Sequence, residues 1–339
     1  PTALSAVVVF TFLTVPIEMS RSIPRIDDLP APPSDRDGWP WTHSGQTLSE
    51  SKQDGKEWPK ITIVTPSYNQ AQFLEETIRS VLLQGYPNLE FIVMDGGSTD
   101  GSVEIIEKYE PWITHWISEE DEGQSDAINK GFEHATGDIY NWINSDDFLR
   151  PGALRAIGEL FIRSETASWI TGGRILRSVE HGTEEAQLLW PRHWPKYLLE
   201  FPDFPQDATF FRADVWNAVG GLDKNLQYGM DILFFHEMLD YTKRGIFTRF
   251  LLSCMNIHEN QKTKGVNKRK ETDSQKIRET IKRRPSRALF GRLLCTRFSP
   301  HLWNLWRSIA QIRAPKTFER AKFDHLNGEW ELVPYKGVR

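Results

Sequence analysis

Residues 61–101 read ITIVTPSYNQAQFLEETIRSVLLQGYPNLEFIVMDGGSTDG, and they decide the fold. ITIV (61–64) is a short β-branched run closed by the turn-forming PSYN (66–69), the pattern of a strand. Phe73, Ile78, Val81 and Leu82 then recur at close to the 3.6-residue period of an amphipathic helix, with Gly85 just past its end. LEFIVM (89–94) follows as a second strand, whose unbroken apolar run predicts cover on both faces. The alternation continues with helix 102–109, strand 113–118, helix 124–135, strand 139–143 and helix 151–162; Gly137 follows one helix and Pro151 opens another. Strands alternating with helices of this length predict right-handed crossovers and a mainly parallel sheet in an α/β domain. No fixed-period repeat is present, which argues against a solenoid or propeller.

Sheets of this kind bind ligands beyond the carboxyl ends of their strands, so polar residues should gather there. PSYN follows the first strand, DGGSTDGS (95–102) the second, EEDEGQSD (119–126) the third and NSDD (144–147) the fourth. Asp146 and Asp147 alone read as a solvated turn, because adjacent carboxylates repel and resist burial. At a strand end beside three other polar loops they read as ligands of Mg²⁺ or Mn²⁺, which take hard oxygen donors and keep positions for substrate phosphates. Asp95 follows its strand directly. GGSTDG offers either flexible amides for an anion or nucleotide, or a tight connection in which Ser102 or Asp100 caps the next helix. The stretch is not GxGxxG and lacks the GK[ST] of a P-loop, which weakens hydride transfer and ordinary ATPase chemistry. The acidic EEDEG run reads as a solvated face, while Asp126 and Asn129, three apart on a helix, are placed to share a side facing the site.

The chain has 339 residues, 39% apolar and 26% charged, enough for one large or two ordinary domains with a substantial core. A net charge of -5 argues against a nucleic-acid binder. Cys254 and Cys295 show neither CxxC nor zinc spacing and suit a reducing compartment. Residues 3–17, ALSAVVVFTFLTVPI, have signal-peptide length, lack a preceding basic region and fall short of the ~20 residues of a membrane span. With Met19 followed at once by polar sequence, residues 1–18 read either as upstream read-through or as a clipped signal or anchor. Residues 19–59 form a Pro-rich arm without a core of its own, which Trp39, Trp41 and Trp58 are expected to pin to the main domain.

Four ordered stretches resemble the nucleotide-binding half of a family 2 glycosyltransferase with the GT-A fold: IVTPSYNQAQFLEETIRSVLLQ (63–84), FIVMDGGSTDGSVEII (91–106), SEEDEGQSDAINKGFEHATGDIYNWINSDD (118–147) and QDATFFRADVWNAVGGLDKNLQYGMD (206–231). The similarity spans roughly residues 60–260, with a nucleotide-sugar half at 60–150 and an acceptor half at 151–260. The resemblance implies that Pro66, Tyr68 and Asp95 hold the base and ribose of a nucleoside-diphosphate sugar. It implies that Asp146 and Asp147 end a DXD-like motif binding a divalent cation (Mn²⁺ or Mg²⁺) on the diphosphate, and that Asp231 is the catalytic base. His258, in NIHENQKT, is similar to a late histidine of this subgroup near the diphosphate and metal. An acid usual in the family is replaced by Asn144 or Ser145, and Met230 precedes a single Asp where many relatives carry an acidic pair. Direct attack by an acceptor hydroxyl then gives inversion. The implied donor is a nucleotide-diphospho-sugar, and the acceptor a saccharide or lipid-linked hydroxyl in cell-surface polysaccharide or glycolipid synthesis.

Gln206, Asp207, Phe210, Phe211 and Trp216 read either as the floor of an acceptor pocket or as core. Residues 261–339 read as a helical basic extension with KTKGVNKRK (262–270) and IKRRPSR (281–287). Trp303, Trp306 and Ile309 on one side of a basic helix point to an anionic membrane, or equally to a solvated helix packed on the catalytic domain. The expected location is the cytoplasm, peripheral on the membrane face. Two rival readings stand beside the transferase: a non-catalytic nucleotide- or membrane-binding scaffold, and Mg-dependent phosphoryl transfer, whose DxDx[TV] strand end is absent here.

Overall fold

The structure is a computed structural model and describes residues 23–51, 55–188, 204–242, 244–262 and 268–283, with two further strands at 319–324 and 329–334. The segments 1–18 and 298–313, on which an anchor and a membrane-facing helix were expected, lie outside the described residues. Among the described residues no helix is long and apolar enough to cross a membrane.

β1 (Ile61–Ser67) is buried along its whole length, the outcome of a β-branched run covered on both faces. α1 (Ala71–Leu82), β2 (Leu89–Asp95), α2 (Ser102–Tyr109), β3 (His115–Ser118), α3 (Gln124–Glu133) and β4 (Ile139–Trp142) follow in the expected alternation. β1 pairs in parallel with both β2 and β4, and β2 with β3. Next in the chain come β5 (Phe148–Leu149), α4 (Ala153–Arg163), β6 (Trp169–Ser178), β7 (Thr183–Gln187), β8 (Thr209–Arg212), α5 (Ala213–Val219), α6 (Met230–Tyr241), β9 (Gly245–Ile257) and α7 (Lys268–Arg283), then β10 (Glu319–Asp324) and β11 (Glu329–Pro334). The sheet order is β11-β10-β9-β6-β8-β4-β1-β2-β3, with β5 added to β9 and β7 to β6. β8 runs antiparallel between β4 and β6, so the sheet is mixed beyond its four parallel strands. In the carboxyl-terminal extension α7 is helical as expected, while β10 and β11 join the sheet beside β9.

Alternating strand residues feed two cores. On one face Ile61, Ile63, Phe91 and Val93 pack with Leu74 and Ile78 of α1 and Leu154 and Ile157 of α4. On the other, Val64, Ile92 and Trp142 meet Ile128 of α3, Phe234 and Phe235 of α6, and Ile277 and Ile281 of α7. α3 crosses β1 so closely that a Cβ on Gly131 would lie 2.5 Å from Val64 Cγ1. Phe210 and Phe211 are fully buried and fall into opposite cores, and Phe211 stacks on Trp216 with centroids 6.1 Å apart. These rings are core.

The arm is fastened through Arg79, a fully buried residue of α1. Its guanidinium donates to the carbonyls of Pro40 (3.1 Å), Pro30 (2.8 Å) and Trp41 (3.0 Å) and to the Tyr109 hydroxyl (3.0 Å). Trp39 Nε1 adds a bond to the Leu149 carbonyl at 2.8 Å, and Trp41 and Trp58 are buried. Replacing Arg79 by Met leaves those carbonyls unpaired in the interior, at a cost of about 3 kcal/mol. For a domain of this size the melting temperature should fall by roughly 6–12 °C. Scanning calorimetry checks this, and an unchanged Tm would show that the arm is held by its apolar contacts alone.

Candidate active site

After β4 the chain turns through Asn144–Asp147 before entering β5. Three elements hold that turn. The Thr77 hydroxyl of α1 lies 2.9 Å from the Ser145 carbonyl oxygen and 2.6 Å from that of Asp147. Asn256 of β9 donates its backbone N–H to Asp147 Oδ1 at 3.1 Å and its side-chain amide to the Asp146 carbonyl at 2.6 Å. Asn256 is itself fixed by Arg177 Nε of β6 at 2.6 Å, and Arg177 forks onto both oxygens of Glu76 in α1 at 3.0 and 2.6 Å. A bidentate pair of this kind supplies orientation as well as energy.

The tandem acids take different positions. Asp147 is buried, and burial pushes its carboxyl well above the usual range; the Asp146 and Asp207 carboxylates push the same way, while the Asn256 amide and Arg174 oppose them. Asp207 in turn accepts from Arg174 Nη1 (2.9 Å) and Ser253 Oγ (2.6 Å). Asp146 keeps a fifth of its side chain exposed (19%), and its Oδ2 lies 3.2 Å from Nε2 of His258, just past the end of β9. His258 packs on the Phe73 ring with centroids 4.5 Å apart. Two donors of one octahedral ion, each about 2.1 Å from it, stand about 3 Å apart, so Asp146 and His258 fit a shared divalent cation. Among the described residues no group of three or more His, Cys, Asp or Glu converges as a metal site. A pair that leaves most of the shell to phosphate oxygens and water suits Mg²⁺ or Mn²⁺ better than a closed structural site.

The loops after β1 and β2 interlock. Asp95, at the end of β2, accepts from the Ser98 amide (2.8 Å), Ser98 Oγ (2.6 Å) and Ser118 Oγ (2.8 Å). Asn69, in the left-handed region at φ 52°, donates its N–H to Ser98 Oγ and accepts from the Thr99 amide. Pro66 lies within β1 opposite Met94. Tyr68 is 63% exposed, a ring free to stack on a planar base, and the Ser67 hydroxyl beside it is buried without a partner among the described residues.

Asp126 and Asn129 share a face of α3, and that face meets the 222–226 segment. Asn129 exchanges two hydrogen bonds, both 2.9 Å, with the Leu222 backbone. Asp126 pairs with Lys224 (3.0 Å) and Lys130 (3.2 Å). Burial works against its charge, but Lys224, the Glu122 amide and Lys130 together hold its carboxyl below the usual range.

Asp231 occupies the first turn of α6, whose N-cap Gly229 has φ +71°. Lys262 stands in the field of Asp231 and reaches toward the acidic turn. Crowding by protein pushes the Lys262 ammonium down, against opposing fields from Asp273, Asp231 and Asp121. Lys262 Nζ lies 3.4 Å from Gln124 Oε1, and Gln124 Nε2 donates to Asn144 Oδ1 at 2.7 Å. One glutamine thus joins Lys262 to the loop that carries Asp146. Sequence reading did not find Thr77, Glu76, Arg177, Asn256, Gln124 or Lys262. Arg177 and Asn256 are each one of several polar residues in β6 and β9, so nothing local distinguishes them.

Residues 62–216 match the family model described as glycosyl transferase family 2. An uncharacterised glycosyltransferase of Mycobacterium tuberculosis is 32% identical over 174 residues, which is 51% of this chain and 65% of that protein. Chondroitin synthase of Escherichia coli is 25% identical over 239 residues, 67% of this chain and 33% of that one. The chain therefore spans less than two thirds of the length of these curated relatives. Among solved structures, S. aureus TarS 1–349 in complex with UDP-GlcNAc superposes with a TM-score of 0.53 at 16% identity, covering 67% of each chain. A mannosyltransferase from Pyrobaculum calidifontis in complex with GDP-Man and Mn²⁺ gives 0.52 at 20% identity, over 76% of this chain and 78% of that one. At these identities the two structures establish a shared GT-A fold.

Proposed function

Starting from a chain whose residues 62–216 belong to glycosyl transferase family 2, we propose that it moves a sugar from a nucleotide-diphospho-sugar to an acceptor hydroxyl with inversion, aided by a divalent cation. The observation that carries this is the Asp146–His258 pair, 3.2 Å apart at the carboxyl edge of the parallel strands, where open α/β sheets take their ligands. Asp95, Pro66 and Tyr68 hold the base and ribose. Asp146 and His258 would hold the cation, and Asp147 is the buried acid through which Asn256 anchors the turn. When bound, the cation neutralises and orients the departing diphosphate.

Asp231 accepts the proton of the acceptor hydroxyl as its oxygen bonds the anomeric carbon; the C–O bond to the diphosphate breaks on the opposite face and its electrons leave with the phosphate. Thr77, Asn256 and the Glu76–Arg177 pair keep the acidic turn rigid, so that donor and acceptor meet in a fixed geometry. Relatives that include a chondroitin synthase support a saccharide acceptor in polysaccharide synthesis.

Thermal shift with UDP-GlcNAc and GDP-mannose, each with Mn²⁺ or EDTA, tests donor binding. A ligand at 100 times its Kd stabilises by about 2.7 kcal/mol. We expect one of the two to raise the Tm in Mn²⁺ and to lose most of that rise in EDTA. Release of UDP or GDP from the stabilising donor then separates an enzyme from a binding scaffold. Binding without release over many hours would favour the scaffold.

A further inference from the structure

α7 lies beyond the family match and is strongly polar, KRKETDSQKIRETIKR, yet it carries a fully buried carboxylate, Asp273. A buried acid in a surface helix is costly unless it is matched by donors. The donors here are the backbone of another element. Asp273 Oδ2 accepts the amides of Gln227 (2.9 Å) and Tyr228 (3.3 Å), the two residues before Gly229, the N-cap of α6. Arg269, one turn earlier, lies 3.2 Å from both Asp273 oxygens and donates to the Asn225 carbonyl at 2.7 Å. Lys276 Nζ stands 3.8 Å from Asp273 Oδ1. Beneath them a Cβ on Gly229 would lie 2.8 Å from Ile277 Cδ1, and Ile277 and Ile281 are buried in the core that includes Met230 and Leu233. The loop 225–229 is thus clamped by α7 from both its polar and its apolar side, and Asp231 emerges two residues further on.

We propose that Asp273 is a positioning residue for Asp231: by gripping the 227 and 228 amides it sets the direction in which the first turn of α6 presents the proton-accepting carboxylate. The inference rests on the reading of Asp231 as base. α7 then serves as a working part of the transferase rather than an appendage, because displacing a reacting group by about 1 Å can cost on the order of 100-fold in rate.

The test uses the full chain and three variants, Asp273→Ala, Asp273→Asn and Arg269→Ala, beside Asp231→Asn. Release of UDP from UDP-GlcNAc or of GDP from GDP-mannose in Mn²⁺ gives kcat and KM, calorimetry gives nucleotide affinity, and amide exchange reports the loop. For Asp273→Ala we expect kcat to fall about 10- to 100-fold, with donor KM and nucleotide affinity within twofold. Exchange at the 227 and 228 amides should accelerate at least tenfold while β1 and β2 stay protected. Asp273→Asn keeps an oxygen acceptor and should recover kcat to within about threefold of wild type. Arg269→Ala, whose side chain is 44% exposed, should show a weaker form of the same pattern and keeps the test alive if Asp273→Ala does not fold.

Unchanged kcat and exchange in Asp273→Ala, or a fall in nucleotide affinity matching the fall in kcat, would overturn the proposal. If neither donor is turned over, the exchange result decides. Asp231→Asn at the wild-type rate removes the base reading itself. An inactive Asp231→Asn beside a fully active Asp273→Ala removes only the role of Asp273.

Discussion

Asp231→Asn is expected to bind nucleotide within about twofold of wild type and to lose turnover by roughly 10²–10⁴-fold, the usual contribution of a positioned general base. The substitution preserves shape and removes the ability to take a proton. Asp231 sits in the first turn of α6, where a short polar side chain is tolerated at little cost to the helix. Its surroundings include Lys262, whose ammonium is close enough to feel the Asp231 charge. Donor binding, by contrast, draws on the loops after β1 and β2, where Asp95 and Asn69 are locked by Ser98 and Thr99. A fall in kcat with unchanged nucleotide affinity is therefore the predicted signature, read by nucleoside diphosphate release and calorimetry. Wild-type turnover in this variant would move the base elsewhere.

Asp146→Ala is expected to be as damaging by another route. Removing one of the two protein ligands should abolish the difference between Mn²⁺ and EDTA in both donor binding and turnover, with activity down by about 10³-fold or more, because charge on the departing diphosphate then goes unmatched. The side chain is partly exposed and its carboxylate contributes only the contact to His258, while the Asp146 carbonyl and Thr77 hold the turn from other sides, so the melting temperature should move little. Asp147→Asn is the useful contrast. It keeps an oxygen for the Asn256 amide, and Mn²⁺ dependence should survive if Asp147 is an anchor and disappear if it is a ligand.

The parallel half of the fold was legible because each of its strands is a short apolar run closed by a polar loop, and each helix shows a 3.6-residue stripe. From β1 through α4 the structural bounds depart from the expected ones by a few residues at the ends, apart from β5, a two-residue strand that was not expected. The second half was not read as strands. β6 is interrupted by Gly172 and Gly173, and β9 carries Arg249, Ser253 and Asn256 in a 13-residue run, so neither shows clean alternation. Asp95 and Asp146 could be singled out by position at strand ends and by resemblance, Asp231 by resemblance alone. Their supports could not, since Arg177 meets Asn256 across 79 residues of sequence and Thr77 meets Asp147 across 70, and no local pattern encodes such pairings. Asp126 and Asn129 show the converse limit. Helical spacing put them on one face, but only the tertiary fold reveals that this face meets Leu222 and Lys224.

The central claim is that a divalent cation bridges Asp146 and His258 to a donor diphosphate, and anomalous scattering at the manganese edge tests it most directly. Crystals of the full chain grown with Mn²⁺ and UDP or GDP should show one strong peak about 2.0–2.3 Å from Asp146 Oδ2 and His258 Nε2, in contact with the diphosphate. A nucleotide bound at the carboxyl edge with no manganese at these two side chains, or manganese bound elsewhere on the protein, would contradict it.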